Sequence, residues 1–356
     1  MTVPQSREAA TVPEDGTVAV TLPLGDARWA AFVDSCPAAT PFHHPAWGSL
    51  LADAYGFEAF AVAVAGSDGG FSCGAPFLEI RSLPRRRSWI SLPFTDECAL
   101  LAPDPGRAQE LPAALAGLAA PRIEIRSKVG AVGWGTRADG VIHVLELDPD
   151  PERVRQGFSR SQVVRNIARA EREGVEVRAA VSRDDLEVFY GLHLRTRRRQ
   201  GVPIQPRRFF DLLWERVLEP GLGTILLAYH GGTALAGALF LTWNGTTIYK
   251  FGASDPEGWP MRPNHLLFWT AVREACLRGD RRFDFGRTDA DNAGLRAFKS
   301  GWGGVERPLV YSTLPPAGPH GEHGLAGRVL GVTIRRGPAW VCRGVGELAY
   351  RYAASR

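Results

Sequence analysis

A chain of 356 residues with 45% hydrophobic and 22% charged side chains is long enough for two domains with sizeable cores and has the balance of a globular protein, which excludes a single small module, a fibrous repeat and a disordered chain. No apolar run approaches the roughly 18 residues a spanning helix needs. The start, MTVPQSREAATVPEDG, lacks the basic head and apolar stretch of a secretory signal, so cytoplasmic residence is expected. Net charge is only +4, yet from Arg153 to Arg216 there are 15 arginines against 8 acidic residues, which points that stretch at an anionic partner.

In chain order, VAVTLPL, FAVAVA, GAPFLEI, SWISLP, IEIRS and HVLELD read as strands, with helices at PAWGSLLADAYG and LPAALAGLAA. After a DPDPE turn at 148–152 a basic amphipathic helix, SRSQVVRNIARAEREG, ends on a C-capping Gly174 before the strand VEVRAAV. Helices at LEVFYGLHLRTRRRQ and PRRFFDLLWERVL follow, then strands TILLAYHG, TALAGALFLTWN and TTIYKFGAS, the helix NHLLFWTAVREACLRG and the strand RRFDFG. This α-β-α-α-β-β-β-α-β order matches an acyltransferase of the GCN5-related N-acetyltransferase (GNAT) type. The expected class is α/β (α+β), with mixed central sheets flanked by helices. The first domain covers 1–150 and is completed by part of 311–356, and the second covers 151–310. A Gly/Pro-rich linker and a basic C-terminal helix occupy 316–356. That helix is read as packing back on the first unit, with peripheral contact to a membrane surface as the alternative.

Five cysteines without a CxxC pair or neighbouring histidines give no disulfide framework and no zinc site. Lys128, Lys250 and Lys299 are the only lysines. A compact ammonium suits developing negative charge better than a guanidinium fork, and Lys299 lies in FKSGWGG, whose small residues admit a substrate backbone. Asp284 alternates with Phe283 and Phe285 and is expected to hold the following loop, TDADNAG; no acidic residue completes a calcium loop there. Asp96, in a loop after an apolar strand, is the candidate base. Arg165, Arg169 and Arg172 fall at i, i+4 and i+7, opposite Val163, Ile167 and Ala170. With Arg160 and the Arg195–Arg199 cluster, including Arg198, they form a candidate phosphate-binding set. A CoA-dependent GNAT enzyme needs a glycine-rich turn opening the helix after its fourth strand. Here that place holds WPMRPNHLLFW, with no glycine between Met261 and Trp269. Walker and GxGxxG patterns are absent as well.

The segment IYKFGASDPEGWPMRPNHLLFWTAVREACLRGDRRFDFGRTDADNAGLRAFKSGWGG resembles the signature of FemX/FemAB-like proteins, aminoacyl-tRNA-dependent transferases built from two GNAT-like units. The resemblance runs from TPFHHPAW at 40–47 to YSTLP at 311–315. It implies an aminoacyl-tRNA donor, an amine acceptor, and amide formation without metal or cofactor. Carried over by position, it puts the FK motif on Phe298 and Lys299, with Lys299 stabilising the tetrahedral intermediate, and the strand aromatic on Tyr249. Asp96 becomes the first-unit aspartate, and Arg199 the acceptor-binding arginine. Lys250, Asn264 and Arg287 complete the expected substrate-binding set. Gln200 and Pro203 depart from the family pattern, no lysine stands near Trp47, and no coiled-coil arm is visible. The acceptor is therefore read as a cell-wall precursor or a small amine of specialised metabolism, as in antibiotic biosynthesis. A CoA-dependent N-acyltransferase and a non-catalytic GNAT-like binding protein are the other readings.

Overall fold

The computed structural model describes residues 19–66, 69–82, 86–118, 122–316, 325–350 and 352. The first stretch of chain forms β1 (Ala19–Pro23), α1 (Ala27–Ser35), α2 (Pro45–Tyr55), β2 (Glu58–Ala65), β3 (Phe71–Ser82), β4 (Arg86–Ile90), α3 (Glu110–Gly117) and β5 (Arg122–Ile125). Then come β6 (Gly135–Glu146), α4 (Pro151–Gln156), α5 (Arg165–Arg172), β7 (Glu176–Ala179), α6 (Arg183–Gln200), α7 (Arg207–Leu213), β8 (Gly223–His230), β9 (Thr233–Trp243), β10 (Thr246–Ser254), α8 (Pro263–Arg278), β11 (Arg282–Thr288) and α9 (Ala293–Ser300). β12 (Val305–Leu314) and two helices, α10 (Leu325–Arg336) and α11 (Ala339–Ala349), end the chain.

Two compact units result. One combines the chain up to Ala138 with Leu309 onward through the end of β12; the other holds Asp139–Pro308 and the C-terminal helices. Both follow one plan. In the first, β1 to β4 are antiparallel neighbours in sequence order, β4 and β5 run parallel, and β12 lies antiparallel to β5. In the second, β7 to β10 are antiparallel neighbours, β10 and β11 run parallel, and β6 lies antiparallel to β11. Each parallel pair is joined through a helix, α3 or α8, because parallel strands need a crossover. The sixth strand of each unit comes from far along the chain, so what the two units repeat is a topology.

Local chemistry accounts for the element ends. The Ser182 hydroxyl accepts from the amide of Asp185, Asp184 and Asp185 occupy the first turn of α6, and Arg197 to Arg199 its last, before Gly201 at φ 73°; this is the charge order that a helix dipole favours. Around the second sheet, Phe240, Phe268, Phe283, Phe285 and Trp302 form the centre of the core, all buried. The segment read as one basic helix at 159–174 begins with a π turn at Arg160–Val164 before α5. Val163, Ile167 and Ala170 face inward as expected.

The C-terminal segment departs from expectation in two ways. Gly337 and Pro338 divide it into two helices, since proline's ring and missing amide stop helix continuation. These helices pack on α6 and group with the second unit, where the first was expected. Arg198 donates from Nε to the Gly337 carbonyl at 2.7 Å, and Glu347 accepts the Arg207 amide at 2.7 Å. Gly346 sits so close to Ile204 that a Cβ there would lie 2.0 Å from its carbonyl oxygen.

Candidate functional site

The second unit's parallel pair is short: β10 and β11 pair only over Thr246–Ile248 and Arg282–Asp284. Immediately beyond, both strands are irregular, β10 between Tyr249 and Phe251 against β9, and β11 between Asp284 and Arg287 against β6. Bulges bend a strand and break its ladder, so the two strands leave each other at this point and open a notch at the sheet. Its α8 side is aromatic: Tyr249 packs on Phe268 at 4.8 Å, and Phe268 on Phe298 at 5.6 Å. The Tyr249 hydroxyl rests against Gly252, where a Cβ would come within 1.9 Å of it.

The β11 side of the notch is held by Asp284 and Lys299. Asp284, turned away from the buried Phe283 and Phe285 as its alternation predicts, accepts the Gly286 amide at 2.7 Å. Lys299, from α9, is only 1% exposed, and its Nζ donates to the carbonyls of Gly286 at 2.6 Å and Arg287 at 3.1 Å. The ammonium expected at a reacting carbonyl here meets the chain's own backbone: a buried ammonium needs fixed acceptors, and two of its donors are taken up by carbonyls at the end of β11. His143, buried on β6, supports the same helix: its Nε2 lies 3.0 Å from Ser300 Oγ and 3.2 Å from a Glu306 oxygen. Burial holds its pKa below the usual histidine value.

The amides of Gly301, Trp302 and Gly303 in FKSGWGG donate to the carbonyls of Ala297, Lys299 and Ser300. What approaches these glycines is protein: the Ser159 amide donates to Gly301 O at 2.8 Å, and a Cβ on Gly303 would sit 3.1 Å from Gly157 O. The close approach that glycine permits serves packing around Trp302.

Residues from three segments meet at the start of α8. Its N-cap is Arg262 at φ 60°, followed by Pro263, which has no amide hydrogen, and no side chain caps the helix. Asn264 comes next, partly exposed. His265 stacks edge-on against Phe298 at 5.2 Å and lies 3.3 Å from Asn166 of α5; burial and Arg262 push its pKa down to about 4, so the ring is neutral at pH 7. Arg160 in the π turn and Arg165 and Arg172 of α5 are exposed, while Arg169 pairs with Glu173 at 3.6 Å.

The remaining arginines are differently used. In the Arg195–Arg199 cluster, Arg195 pairs with Asp255 at 3.7 Å, Arg197 donates to Pro203 O, and Arg198 holds the α10–α11 turn through Nε. Arg199 lies 3.2 Å from Ser254 O at the end of β10, over the exposed ring of Trp259 at 5.4 Å. Arg287 pairs with Asp139 and Asp289 at 2.8 and 2.7 Å. The Lys250 ammonium lies 5.5 Å from the Phe251 ring. No group of His, Cys, Asp or Glu among the described residues is arranged to hold a metal ion.

Asp96 belongs to the first unit, in a loop that its surroundings over-determine. Leu92 and Phe94 both adopt positive φ, 57° and 62°, a conformation that costs side-chain-bearing residues about 1–3 kcal/mol. Trp47 Nε1 and Arg126 bind Thr95, and the Tyr311 hydroxyl donates to the Asp96 carbonyl at 2.7 Å. The guanidinia of Arg126 and Arg137 lie over the Tyr311 ring at 5.0 and 5.4 Å, and both approach Glu124. Sequence reasoning missed this cluster, His143 and His265, because each is assembled from residues far apart in the chain.

A sheet whose central parallel pair opens at twin bulges, with a crossover helix starting beside the opening, defines an acyltransferase fold of the GNAT type. Residues 157–300 match the family model described as an acetyltransferase (GNAT) domain. Among solved structures, FemX superposes with a TM-score of 0.67 at 18% identity, covering 82% of this chain and 96% of FemX. The lipid II:glycine glycyltransferase of Staphylococcus haemolyticus (strain JCSC1435) is 36% identical over 87 residues, 22% of this chain and 21% of the relative. That of Staphylococcus aureus is 37% identical over 78 residues, 20% and 18% respectively. The chain thus spans about a fifth of the length of these curated relatives. It shares the fold of FemX, and over that stretch its sequence is similar to the lipid II:glycine glycyltransferases.

Proposed function

We propose that the chain is an aminoacyltransferase that moves an aminoacyl group from aminoacyl-tRNA to an amine of a peptidoglycan precursor. The observation that carries this reading over CoA-dependent transfer is the start of α8. Pyrophosphate binding at a helix N-terminus uses free backbone amides, and here the first helical residue is Pro263, behind a non-glycine Arg262. Beside it lie features suited to a 3′ RNA end: the exposed arginines of α5 for phosphates, and the rings of Phe298 and His265 for stacking of a base. The amine nitrogen attacks the ester carbonyl, the carbon–oxygen bond to the ribose breaks, and the proton leaving the amine ends on the ribose oxygen. Lys299 and Asp284 fix the β11 backbone that borders the reacting groups.

A small amine of specialised metabolism is the second acceptor reading. It rests on Gln200 and Pro203, which depart from the family's acceptor-binding pattern. The test is transfer of radiolabel from a pool of charged tRNA, offered lipid-linked pentapeptide precursor or a small-molecule extract, with ribonuclease-treated tRNA and acetyl-CoA as comparisons. Label incorporation lost on ribonuclease treatment is expected. Incorporation from acetyl-CoA alone overturns the proposal.

A further inference from the structure

The C-terminal helices bury one face of each on α6 and the loop after it. Ile334 of α10 and Cys342 and Gly346 of α11 point inward. Their opposite faces are apolar and uncovered. On α10, Val329, Val332 and Arg336 stand at i, i+3 and i+7, one stripe of a helix; the two valines are 63% and 46% exposed. On α11, Trp340 and Leu348 stand at i and i+8, opposite Cys342 and Gly346, and are 71% and 78% exposed. Isolated apolar residues on a surface are ordinary, but four large ones on the outer faces of two adjacent helices mark an interaction surface.

The charge of this segment selects the partner. Residues 316–356 carry six arginines and two glutamates. α10 has no acidic residue, and the exposed Glu347 of α11 is engaged as acceptor of the Arg207 amide. Arg335 and Arg336 are exposed beside the apolar stripe. Tryptophan and aliphatic groups that sit at headgroup depth, next to arginines that meet lipid phosphates, describe a helix lying in the plane of an anionic bilayer. No helix among the described residues is long and apolar enough to cross one. We infer that the outer faces of α10 and α11 form a peripheral docking surface for membranes rich in anionic phospholipid. This surface does not depend on the transfer reaction proposed above.

The test is co-sedimentation of the full chain with vesicles of equal parts phosphatidylglycerol and phosphatidylcholine, against vesicles of phosphatidylcholine alone. Binding to the anionic vesicles that weakens with salt is expected, and little to the neutral ones. Trp340→Ala with Leu348→Ala should weaken it at least about tenfold by removing apolar surface. Arg336→Glu should weaken it about fivefold or more. Both variants change exposed side chains, so unchanged thermal unfolding verifies the fold. Equal binding to both vesicle types, or full binding by the Trp340/Leu348 variant, overturns the inference. So does a chain that ignores vesicles and forms a dimer that the same variant dissociates.

Discussion

Replacing Lys299 with methionine keeps a stem of similar length and removes the ammonium. Its two hydrogen bonds, 2.6 and 3.1 Å to the carbonyls of Gly286 and Arg287, are charge-assisted, and each is worth about 1.5–3 kcal/mol before the ammonium's own desolvation cost is returned. The net loss falls on the end of β11 and comes to about 2–3 kcal/mol, since the two carbonyls stay behind without their donor. Local opening of this segment should rise about 30- to 150-fold. Native-state hydrogen exchange over 284–289 reads it directly, and the Gly286 amide, bound to Asp284 at 2.7 Å, is the reporter. Transfer from charged tRNA should fall in parallel, because the strand that borders the notch no longer holds its place. Unchanged exchange over 284–289 with transfer abolished would refute the reasoning, for then the ammonium acts at the reacting carbonyl and not through the backbone.

Acid should weaken the second unit through His265. Its folded pKa of about 4 lies below the unfolded value near 6.5, so nothing is lost above pH 6.5, and the penalty grows as pH falls toward 4, reaching about 2 kcal/mol at pH 5. The urea midpoint of His265→Gln should therefore drop less between pH 7 and pH 5 than that of the parent; equal drops count against the assignment. Gly346→Ala improves helix propensity by about 1 kcal/mol, but its Cβ would meet the Ile204 carbonyl at 2.0 Å, so α11 should lift and trypsin should cut faster within 335–343. A thermal midpoint higher than the parent's contradicts that packing. All five cysteines are buried, and burial raises the Cys36, Cys73 and Cys276 thiols to about 11; a thiol reagent at pH 8 should label none before unfolding, whereas prompt labelling of any one shows that its surroundings open.

Periodicity and punctuation in the sequence were sufficient for the element order of the second unit, from the basic helix at 159–174 to the strand at 282–288. These signals are local: a 3.6-residue stripe, a two-residue alternation, or a glycine at a left-handed helix end is written in consecutive residues. The turn role of Asp284 was legible for the same reason, its bond reaching only to residue 286. Tertiary structure decided what distance along the chain conceals. β6 and β12 each complete a sheet remote in sequence, and no local pattern says which edge a strand will join. Lys299 looked like a group awaiting a substrate because its acceptors are main-chain carbonyls, which every residue has and no sequence displays. Arg198 read as phosphate-binding by its neighbours, yet Gly337, 139 positions away, takes its hydrogen bond. Side-chain identity sets what a group can do; only the packed backbone around it decides which partner it meets.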